Sequence, residues 1–332
     1  MFRKISLAGL LLLCYTVQAM QKEPVNQACT VIERMLGFIQ NVTKQGPIII
    51  NAIQKKGDTA NIHRLHCGGA QLDRTDENGD TALHYAARHG YSQVMNYLLE
   101  HGALKKANKL GRTPLFDAVD NNQEKMVEHL LPGPFDADDQ DQNGDTALHR
   151  AALQGNISII KMLEKNGASI NIRNLEAEYP LHKALVHNNP ALIEELASKG
   201  NINAANYYRP ESSPHLPLAQ AILDNNTGQS IDALLKKGAD PNKYFNSRAT
   251  PLELVAARCN SLRDPYGVTK SLLEGGAKVS DITLSEKVKG KESLAVCKKV
   301  SRMLAKAYKQ QHESKKKREI NPRSYRYPGN YK

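Results

Sequence analysis

Tryptophan is absent from this 332-residue chain, and aromatic residues make up only 5% of it. Because aromatic side chains supply much of the buried area in large cores, the composition favours an elongated array of small units over one deep core. A mean hydropathy of −0.52 excludes a polytopic membrane protein, and 40% hydrophobic residues exclude disorder throughout the chain. The P-loop and G-x-S-x-G signatures are also missing from the sequence, so we expect no enzyme.

Positive charge is concentrated at the C-terminus. Residues 281–332 contain 15 Lys or Arg and 5 Asp or Glu, which leaves one of the eleven net positive charges for the rest of the chain. Attraction to a polyanion is therefore expected only of this segment. Its basic run consists of Lys315, Lys316, Lys317 and Arg318. Two interpretations stay open, namely binding to nucleic acid or an acidic surface, and a solubilising extension.

The N-terminus has the layout of a secretory signal peptide. Arg3 and Lys4 precede an apolar run that ends at Val17, and Ala19 offers a small residue for cleavage. The run is short for a bilayer span, which needs about 20 residues, although a retained anchor is the alternative. We therefore predict a signal peptide over residues 1–19, export from the cytoplasm and no transmembrane segment in the mature chain.

Four cysteines remain after removal of that segment, two near each end: Cys29, Cys67, Cys259 and Cys297. An exported protein tolerates disulfides, so one interpretation pairs Cys29 with Cys67 and Cys259 with Cys297. The other interpretation is four buried thiols. The cysteines form no C-x-x-C motif, and we expect neither a metal site nor a cofactor.

An internal repeat of about 33 residues indicates the fold. The segment GDTALH at 79–84 recurs at 144–149, with GRTPLF at 111–116 between them. Weaker copies follow at 179–182, 216–219 and 250–253. The second half of several copies carries a Leu pair and then Gly-Ala, as in YLLEHGA at 97–103, whereas the third copy has Pro132-Gly133-Pro134 in place of Gly-Ala. Such a period is typical of stacked repeats.

These motifs resemble the ankyrin repeat, whose signature is a TPLH-x-A helix opening and a second helix that ends in LL-x-x-GA-D-x-N. The resemblance covers about residues 47–282, some seven units. It implies an all-α solenoid of stacked helix-turn-helix units with hairpin-like finger loops. It also implies a non-enzymatic scaffold that binds a protein partner, with no small-molecule substrate.

The physical chemistry of one unit agrees with this interpretation. Threonine before the first helix is a good N-cap, and proline suits the first helical turn. The tenth position of the opening motif holds only residues that tolerate a left-handed backbone, which predicts a helix stop: Gly90, Asn122, Gly155, Asn188 and Asn225. A unit this small cannot bury its own apolar face, so neighbours must stack and the ends need caps.

The predicted organisation has five parts. A signal peptide (1–19) precedes an N-terminal capping helix (20–46) and the repeat array (47–282). An amphipathic C-terminal capping helix (283–311) and a basic disordered tail (312–332) follow. The caps are expected because the terminal repeats would otherwise expose an apolar face.

Histidines recur at one position of the repeat, as His84, His149 and His182. An active site needs one convergent cluster, whereas successive members of this set are separated by one repeat or more. We predict that they form hydrogen bonds between adjacent units.

The resemblance implies that the partner binds to the concave face, where the variable positions of the first helices and the fingers lie. The expected contact residues are Tyr85, Arg88, Asp117, Arg150, Lys183, Tyr207, Tyr208, Tyr244 and Phe245. The last four are concentrated in two successive fingers, and aromatic anchors are common at interfaces. Padding of a longer connection against the stack is the alternative for these four.

Overall fold

The structure of the chain is a computed structural model that describes residues 48–55, 57–131, 133, 135–198, 200–204, 216–244, 249–280 and 295–320. These residues form α-helices and no β-ladder beyond a single isolated bridge between Gln140 and Thr146. The predicted signal peptide and N-terminal capping helix lie outside the described residues.

Fourteen of the helices follow one another as seven consecutive pairs, and a longer helix ends the described chain. In chain order they are α1 (Ile48–Lys55), α2 (Thr59–Cys67), α3 (Ala82–His89), α4 (Ser92–Glu100), α5 (Pro114–Asp120), α6 (Glu124–Leu130), α7 (Ala147–Gln154), α8 (Ile157–Lys165), α9 (Pro180–Ala184), α10 (Pro190–Leu196), α11 (Pro217–Leu223), α12 (Gly228–Lys236), α13 (Pro251–Arg258), α14 (Pro265–Glu274) and α15 (Ala295–Ile320).

The chain divides into two compact units, Met1–Phe135 and Asp136–Lys332. In unit 1, α3 packs against α4 and against the corresponding helix α5 of the next pair. In unit 2, α7 packs against α9, and α12 packs against α14. Each pair thus buries its apolar face partly against its own second helix and partly against its neighbour.

The repeated leucines form the core, as the period predicts. Each is at most 3% exposed: Leu83, Leu98, Leu115, Leu148, Leu163, Leu181, Leu192, Leu218, Leu234 and Leu252. The small residues Ala86 and Ala151 are fully buried and let neighbouring helices approach closely. Burial of one such leucine contributes about 1.5–3 kcal/mol.

Helix starts and stops follow the sequence signals. Thr146 and Thr250 cap α7 and α13, each accepting a hydrogen bond from the backbone N–H three residues on. Proline occupies the first turn of six of the described helices. All five residues at the tenth motif position have positive φ, between 48° and 74°, so the predicted left-handed stop is confirmed.

The last helix caps unit 2. Val300 and Leu304 are each 1% exposed, and α15 packs against α14. The Gln311 side chain accepts from the Val279 N–H and donates to the Ala277 carbonyl, both at 3.0 Å. These contacts satisfy backbone groups that follow the last helix pair.

One boundary differs from the prediction. The helix continues through Ile320, so residues 312–320 are helical rather than part of a disordered tail. Lys, Arg, Gln and Glu are good helix formers, and an anchored helix propagates through them at low cost. Residues 321–332 lie outside the described part of the chain. Among the residues described, no helix is both long and apolar enough to span a bilayer.

Candidate functional site

The finger loops are built on Asp side chains that accept backbone hydrogen bonds. Asp76 accepts from the N–H groups of Asn78 (2.9 Å) and Asp80 (2.8 Å) in the finger before α3. Asp141 accepts from the second and fourth residues after it in the same way in unit 2. This Asx-turn geometry explains the Asp/Asn content of the loops.

Successive fingers are joined through the backbone. In unit 1 the Lys109 N–H donates to the Asn78 carbonyl at 3.0 Å, and in unit 2 the Leu175 N–H donates to the Asn143 carbonyl at 2.9 Å. Gly79, with φ 82°, lies so close that a Cβ there would be 2.8 Å from the Lys109 nitrogen. The fingers are therefore held in fixed register within each unit.

The recurring histidines tie each repeat to the next. In His84, Nδ1 accepts from the Thr81 N–H at 3.0 Å, and Nε2 donates to the Arg112 carbonyl at 2.9 Å. In His149, Nε2 donates to the Glu178 carbonyl at 3.0 Å, and burial lowers the pKa of its imidazole. These bonds confirm the structural role predicted for the two histidines.

His182 forms the hydrogen bond at the start of its own helix that His84 also forms. Its Nδ1 accepts from the Tyr179 N–H at 3.1 Å. His149 and His182 therefore hold the same position in two successive repeats of unit 2, and each forms its hydrogen bonds at the start of its own repeat.

Arg88 connects two carboxylates across neighbouring repeats. Its guanidinium lies 2.7 Å from Asp80 Oδ2 and 2.7 Å from Asp117 Oδ1. Burial raises the pKa of Asp80, but hydrogen bonds from Asn108 and Arg88 outweigh it and hold that pKa below its ordinary value. Burial raises the pKa of Asp117, whose Oδ2 receives no hydrogen bond.

The described residues contain one group of three potential metal ligands whose donor atoms lie within 4.8 Å of one another. It consists of Asp80, His84 and Asp117. Arg88 already neutralises both carboxylates, and the histidine uses both ring nitrogens in hydrogen bonds. A cation there would displace the guanidinium, so this group is an internal ion pair.

Several residues predicted to contact a partner are engaged within the chain. Tyr85 is 8% exposed, lies under the Arg88 guanidinium and donates its hydroxyl to Asp76. Lys183 Nζ lies 2.5 Å from Glu178 Oε2, which keeps the pKa of Lys183 above its ordinary value despite burial. Arg150 is half-buried on α7. Tyr85 therefore acts inside the stack and offers a partner little surface.

Exposed apolar side chains mark a different part of the same face. Leu153 at the end of α7 is 41% exposed, and Val186, one repeat later, is 59% exposed. Leu175, on the finger between them, is 76% exposed. In unit 1, Leu110 occupies a fingertip and is 50% exposed. The two fingertip leucines were not among the predicted contact residues, although an apolar residue among Asx-turn residues is a usable signal.

The aromatic fingers are described only in part. Tyr244 is 63% exposed, as an interface anchor requires. Tyr207, Tyr208 and Phe245 lie outside the described residues, so the choice between anchor and padding stays open for them. Lys315, Lys316, Lys317 and Arg318 belong to α15, but their side chains also lie outside the description.

The cysteines behave differently at the two ends. Cys67, the last residue of α2, is exposed and has a free thiol. Cys29 lies outside the described residues, so the pairing of Cys29 with Cys67 stays a prediction. The Cys67 sulfur contacts His63, one turn earlier. Cys259 is disulfide-bonded. The side chain of Cys297 lies outside the description, and the pairing of these two residues stays a prediction.

Comparison with family models identifies repeats in this chain. A model described as "Ankyrin repeats (3 copies)" matches residues 49–141 and 127–207. The chain is 34% identical over 149 residues to the mouse "B-cell lymphoma 3 protein homolog", a match that covers 44% of this chain and 32% of that protein. It is 32% identical over 142 residues to the mouse "NF-kappa-B inhibitor delta", covering 41% of this chain and 43% of that protein.

Other matches point to the same repeats. Human inversin is 34% identical over 139 residues, which cover 39% of this chain and 13% of inversin. The crystal structure of the ankyrin repeat domain of Bcl-3 superposes with a TM-score of 0.56 at 23% identity and covers 68% of this chain and 100% of that one. This chain thus spans less than half of the curated relatives' lengths, and the solved structure shows the fold alone, an all-α ankyrin solenoid.

Proposed function

Because the chain contains ankyrin repeats, we propose that it is a non-enzymatic scaffold that binds a protein partner through the exposed face of its first helices and fingers. The similarity to proteins such as the mouse NF-kappa-B inhibitor delta supports a protein as the ligand. The signal-like N-terminus supports action outside the cytoplasm. About seven repeats, as the sequence period indicates, would form the scaffold.

The observation that carries this proposal is a row of exposed apolar residues in unit 2. Leu153 and Val186 hold the same repeat position, and Leu175 lies on the finger between them. We define these three residues as the apolar row. Clusters of exposed apolar groups are typical of binding surfaces. We therefore expect the partner to contribute apolar side chains.

The test is affinity capture with the exported form of the protein as bait. The variant L153S/L175S/V186S should lose the captured partner while its thermal melting stays within a few degrees of the parent. The matched control is Leu104→Ser, because Leu104 is 48% exposed but lies in the loop after α4 in unit 1. Capture that survives the triple substitution, or that Leu104→Ser also abolishes, would contradict the proposed surface.

Export has its own test. N-terminal sequencing of the protein recovered from its natural producer should begin after Ala19. A protein that retains Met1 or Phe2 at its N-terminus would contradict the proposal of export.

A second function, binding of a polyanion, is favoured by a basic stripe on α15. We define the basic stripe as Lys298, Arg302, Lys306 and Lys309, which are exposed and recur at helical spacing on one face. The opposite face is buried through Val300 and Leu304. At 1.5 Å per residue, the four charges span about 16 Å, which matches several phosphates of a nucleic acid strand.

Salt dependence distinguishes this function from binding at the apolar row. Each cation that neutralises a phosphate adds about −0.9 to the slope of log K against log salt on duplex DNA. K298Q/R302Q/K306Q should therefore reduce the magnitude of the slope by about 3 on a labelled duplex. The control K125Q/K165Q/K236Q removes three exposed lysines elsewhere. Equal effects of the two variants would show that the stripe is not the site.

A further inference from the structure

The turn between α11 and α12 carries a motif that neither of the proposed binding functions uses. Asn225-Asn226-Thr227 has the form Asn-x-Ser/Thr, with a middle residue other than proline. This is the acceptor sequence for N-linked glycosylation in a secretory pathway. The same form occurs at Asn41 and at Asn156, so the sequence alone offers three acceptors.

The Asn225 carboxamide lies in solvent. The residue is exposed, and its side chain forms no hydrogen bond with the described residues. With φ at 60° it is the left-handed residue of the turn that follows Leu223, the last residue of α11. Because its Nδ2 neither caps a helix nor binds another group, a sugar can be attached there without loss of a contact.

The two residues after Asn225 hold the turn in place. Asn226 is 2% exposed and donates from Nδ2 to the Leu185 carbonyl at 2.9 Å. The N–H and the hydroxyl of Thr227 both donate to Asn188 Oδ1, at 2.8 Å and 3.2 Å. These bonds tie the turn to the preceding repeat, so its shape does not depend on the group that Asn225 carries.

Asn156 provides the contrast. It is half-buried and is the N-cap of α8, where its Oδ1 accepts from the Ile159 N–H at 3.1 Å. A sugar on the Asn156 Nδ2 would have to fit beside this cap. Asn41 lies outside the described residues. Of the two acceptor sequences that the structure describes, the geometry therefore favours Asn225.

The position of Asn225 suits a bulky group. Helix α12 (Gly228–Lys236) has nine residues and is about 13 Å long. It separates this turn from the loop that carries the exposed Tyr244. Glycans are bulky and remain on the surface. A glycan on Asn225 would therefore leave that loop and the buried face of α12 uncovered.

We propose that Asn225 is the acceptor of an N-linked glycan. This proposal rests on the proposed export, because the sugar is added to chains that enter a secretory pathway. The co-substrate is an oligosaccharide carried on a lipid diphosphate. Addition takes place during translocation, before Thr227 forms the bonds that it has in the folded protein.

The transfer forms one bond and breaks one. The Asn225 Nδ2 attacks C1 of the first sugar, forms the N-glycosidic bond and loses one proton to a base of the transferase. The bond between C1 and the diphosphate oxygen breaks, and the lipid diphosphate leaves with the electron pair. No oxidant or reductant takes part.

The test is secretion of the full chain from a eukaryotic cell line that performs N-glycosylation, followed by mapping of the modified residue. Peptide N-glycosidase converts a glycosylated asparagine to aspartate, and digestion in heavy-oxygen water labels that aspartate. We expect the label at position 225. The same digestion should increase the mobility of the secreted protein on a denaturing gel.

Four variants assign the sugar to this site. Asn225→Gly keeps the left-handed backbone and removes the acceptor, so it should abolish the label without changing the melting temperature of the sugar-free protein. Thr227→Ala should also abolish the label, whereas Thr227→Ser preserves the acceptor form and should retain it. Asn156→Ser is the matched control, because it removes another acceptor sequence but keeps a good N-cap. This control should carry the label at position 225 as the parent does.

A second version of the chain separates the acceptor site from export. In this version an established signal peptide replaces residues 1–19. If only this version is modified, the acceptor site is supported and the proposal of export is overturned. If either version is secreted with an unmodified Asn225, the acceptor site is overturned and export is not. A label on Asn156 in place of Asn225, or a label at position 225 that survives Thr227→Ala, would also overturn the site.

Discussion

At the scale of single residues, one repeat position serves two purposes. Asn188 has φ 48° and ends the first helix of its pair, as glycine does elsewhere. Its Oδ1 also accepts from the Thr227 N–H at 2.8 Å and from the Ser230 hydroxyl at 2.8 Å. Asn225, at the same position of the next pair, has φ 60° and an exposed side chain. The backbone requirement is shared, but the inter-repeat bonds belong to Asn188.

Replacement of each asparagine by glycine separates these purposes. Asn188→Gly keeps the left-handed backbone but removes the side-chain acceptor, so it should lower the free energy of unfolding by about 1–3 kcal/mol. Asn225→Gly should change it by no more than about 0.5 kcal/mol. Urea denaturation of both variants provides the measurement. Equal losses would show that the bonds of Asn188 contribute nothing.

A carboxylate pair on the second helices of unit 2 makes stability depend on pH. Burial, and then the charge of Glu195, raise the pKa of Glu164 to about 7. Lys161 Nζ lies 3.6 Å from Glu195 and offsets the repulsion only in part. The folded state therefore holds the Glu164 proton more tightly than the unfolded state does, and this contribution to stability is lost as pH rises from about 4.5 to about 7.

Glu164→Gln should remove that loss. At pH 8 the variant should be more stable than the parent by about 1 kcal/mol, a value reduced from the full pKa shift because the site is partly solvated. At pH 4.5 the two proteins should have equal stability. The measurement is the difference in urea midpoint between variant and parent at each pH. Glu194→Gln, an exposed neighbour, is the control, and a pH-independent effect of Glu164→Gln would contradict the account.

Single-residue features could be predicted from the sequence where the repeat motif alone determines the conformation or the hydrogen bond. The tenth-position residues were predicted because only glycine and asparagine occupy them, and the histidine bonds were predicted because their position recurs. The Glu164–Glu195 contact was not predicted, since it depends on which exposed positions of successive second helices meet. The contact between the Tyr85 ring and the Arg88 guanidinium was not predicted for the same reason.

At the scale of elements, α15 combines a buried anchor with an exposed extension. Its first half packs on α14 through Val300 and Leu304. Its second half is exposed through Ser314. The capping helix was predicted to end at residue 311, whereas the helix continues to Ile320. Propensity and a Lys309–Glu313 pair at 3.9 Å support the extension.

The two halves of α15 should therefore respond differently to truncation and substitution. Leu304→Ala should lower the stability of unit 2 by about 2–4 kcal/mol, because it empties a fully buried position in the cap. Deletion of residues 315–332 should leave stability within about 0.5 kcal/mol of the parent. Thermal melts followed by circular dichroism test both. A tail deletion as harmful as Leu304→Ala would show that the cap extends beyond the packed half.

At the scale of the whole molecule, the sequence period determines most of the architecture. The order of helix pairs, the buried leucines and the finger turns all follow from a motif repeated about every 33 residues. The apolar row was less predictable, because it joins residues from successive repeats at positions that vary. Function in such a scaffold depends on those variable positions, and the repeat itself specifies only where they lie.

The central claim is that each helix pair is stable only when it packs against its neighbours. It follows that a whole repeat can be removed and the remaining repeats still fold together. Deletion of residues 147–179 tests this claim, since it removes one 33-residue repeat and joins Thr146 directly to Pro180 in the Thr-Pro-Leu-His order. A control deletion of residues 147–163 removes only half of a repeat.

Equilibrium urea unfolding, followed by circular dichroism at a helix-sensitive wavelength, is the measurement. The account predicts that the protein lacking 147–179 remains helical and unfolds cooperatively at a lower urea concentration than the parent, whereas the half-repeat deletion loses its cooperative transition. If excision of the whole repeat abolishes cooperative unfolding as completely as the half-repeat deletion does, the account is contradicted.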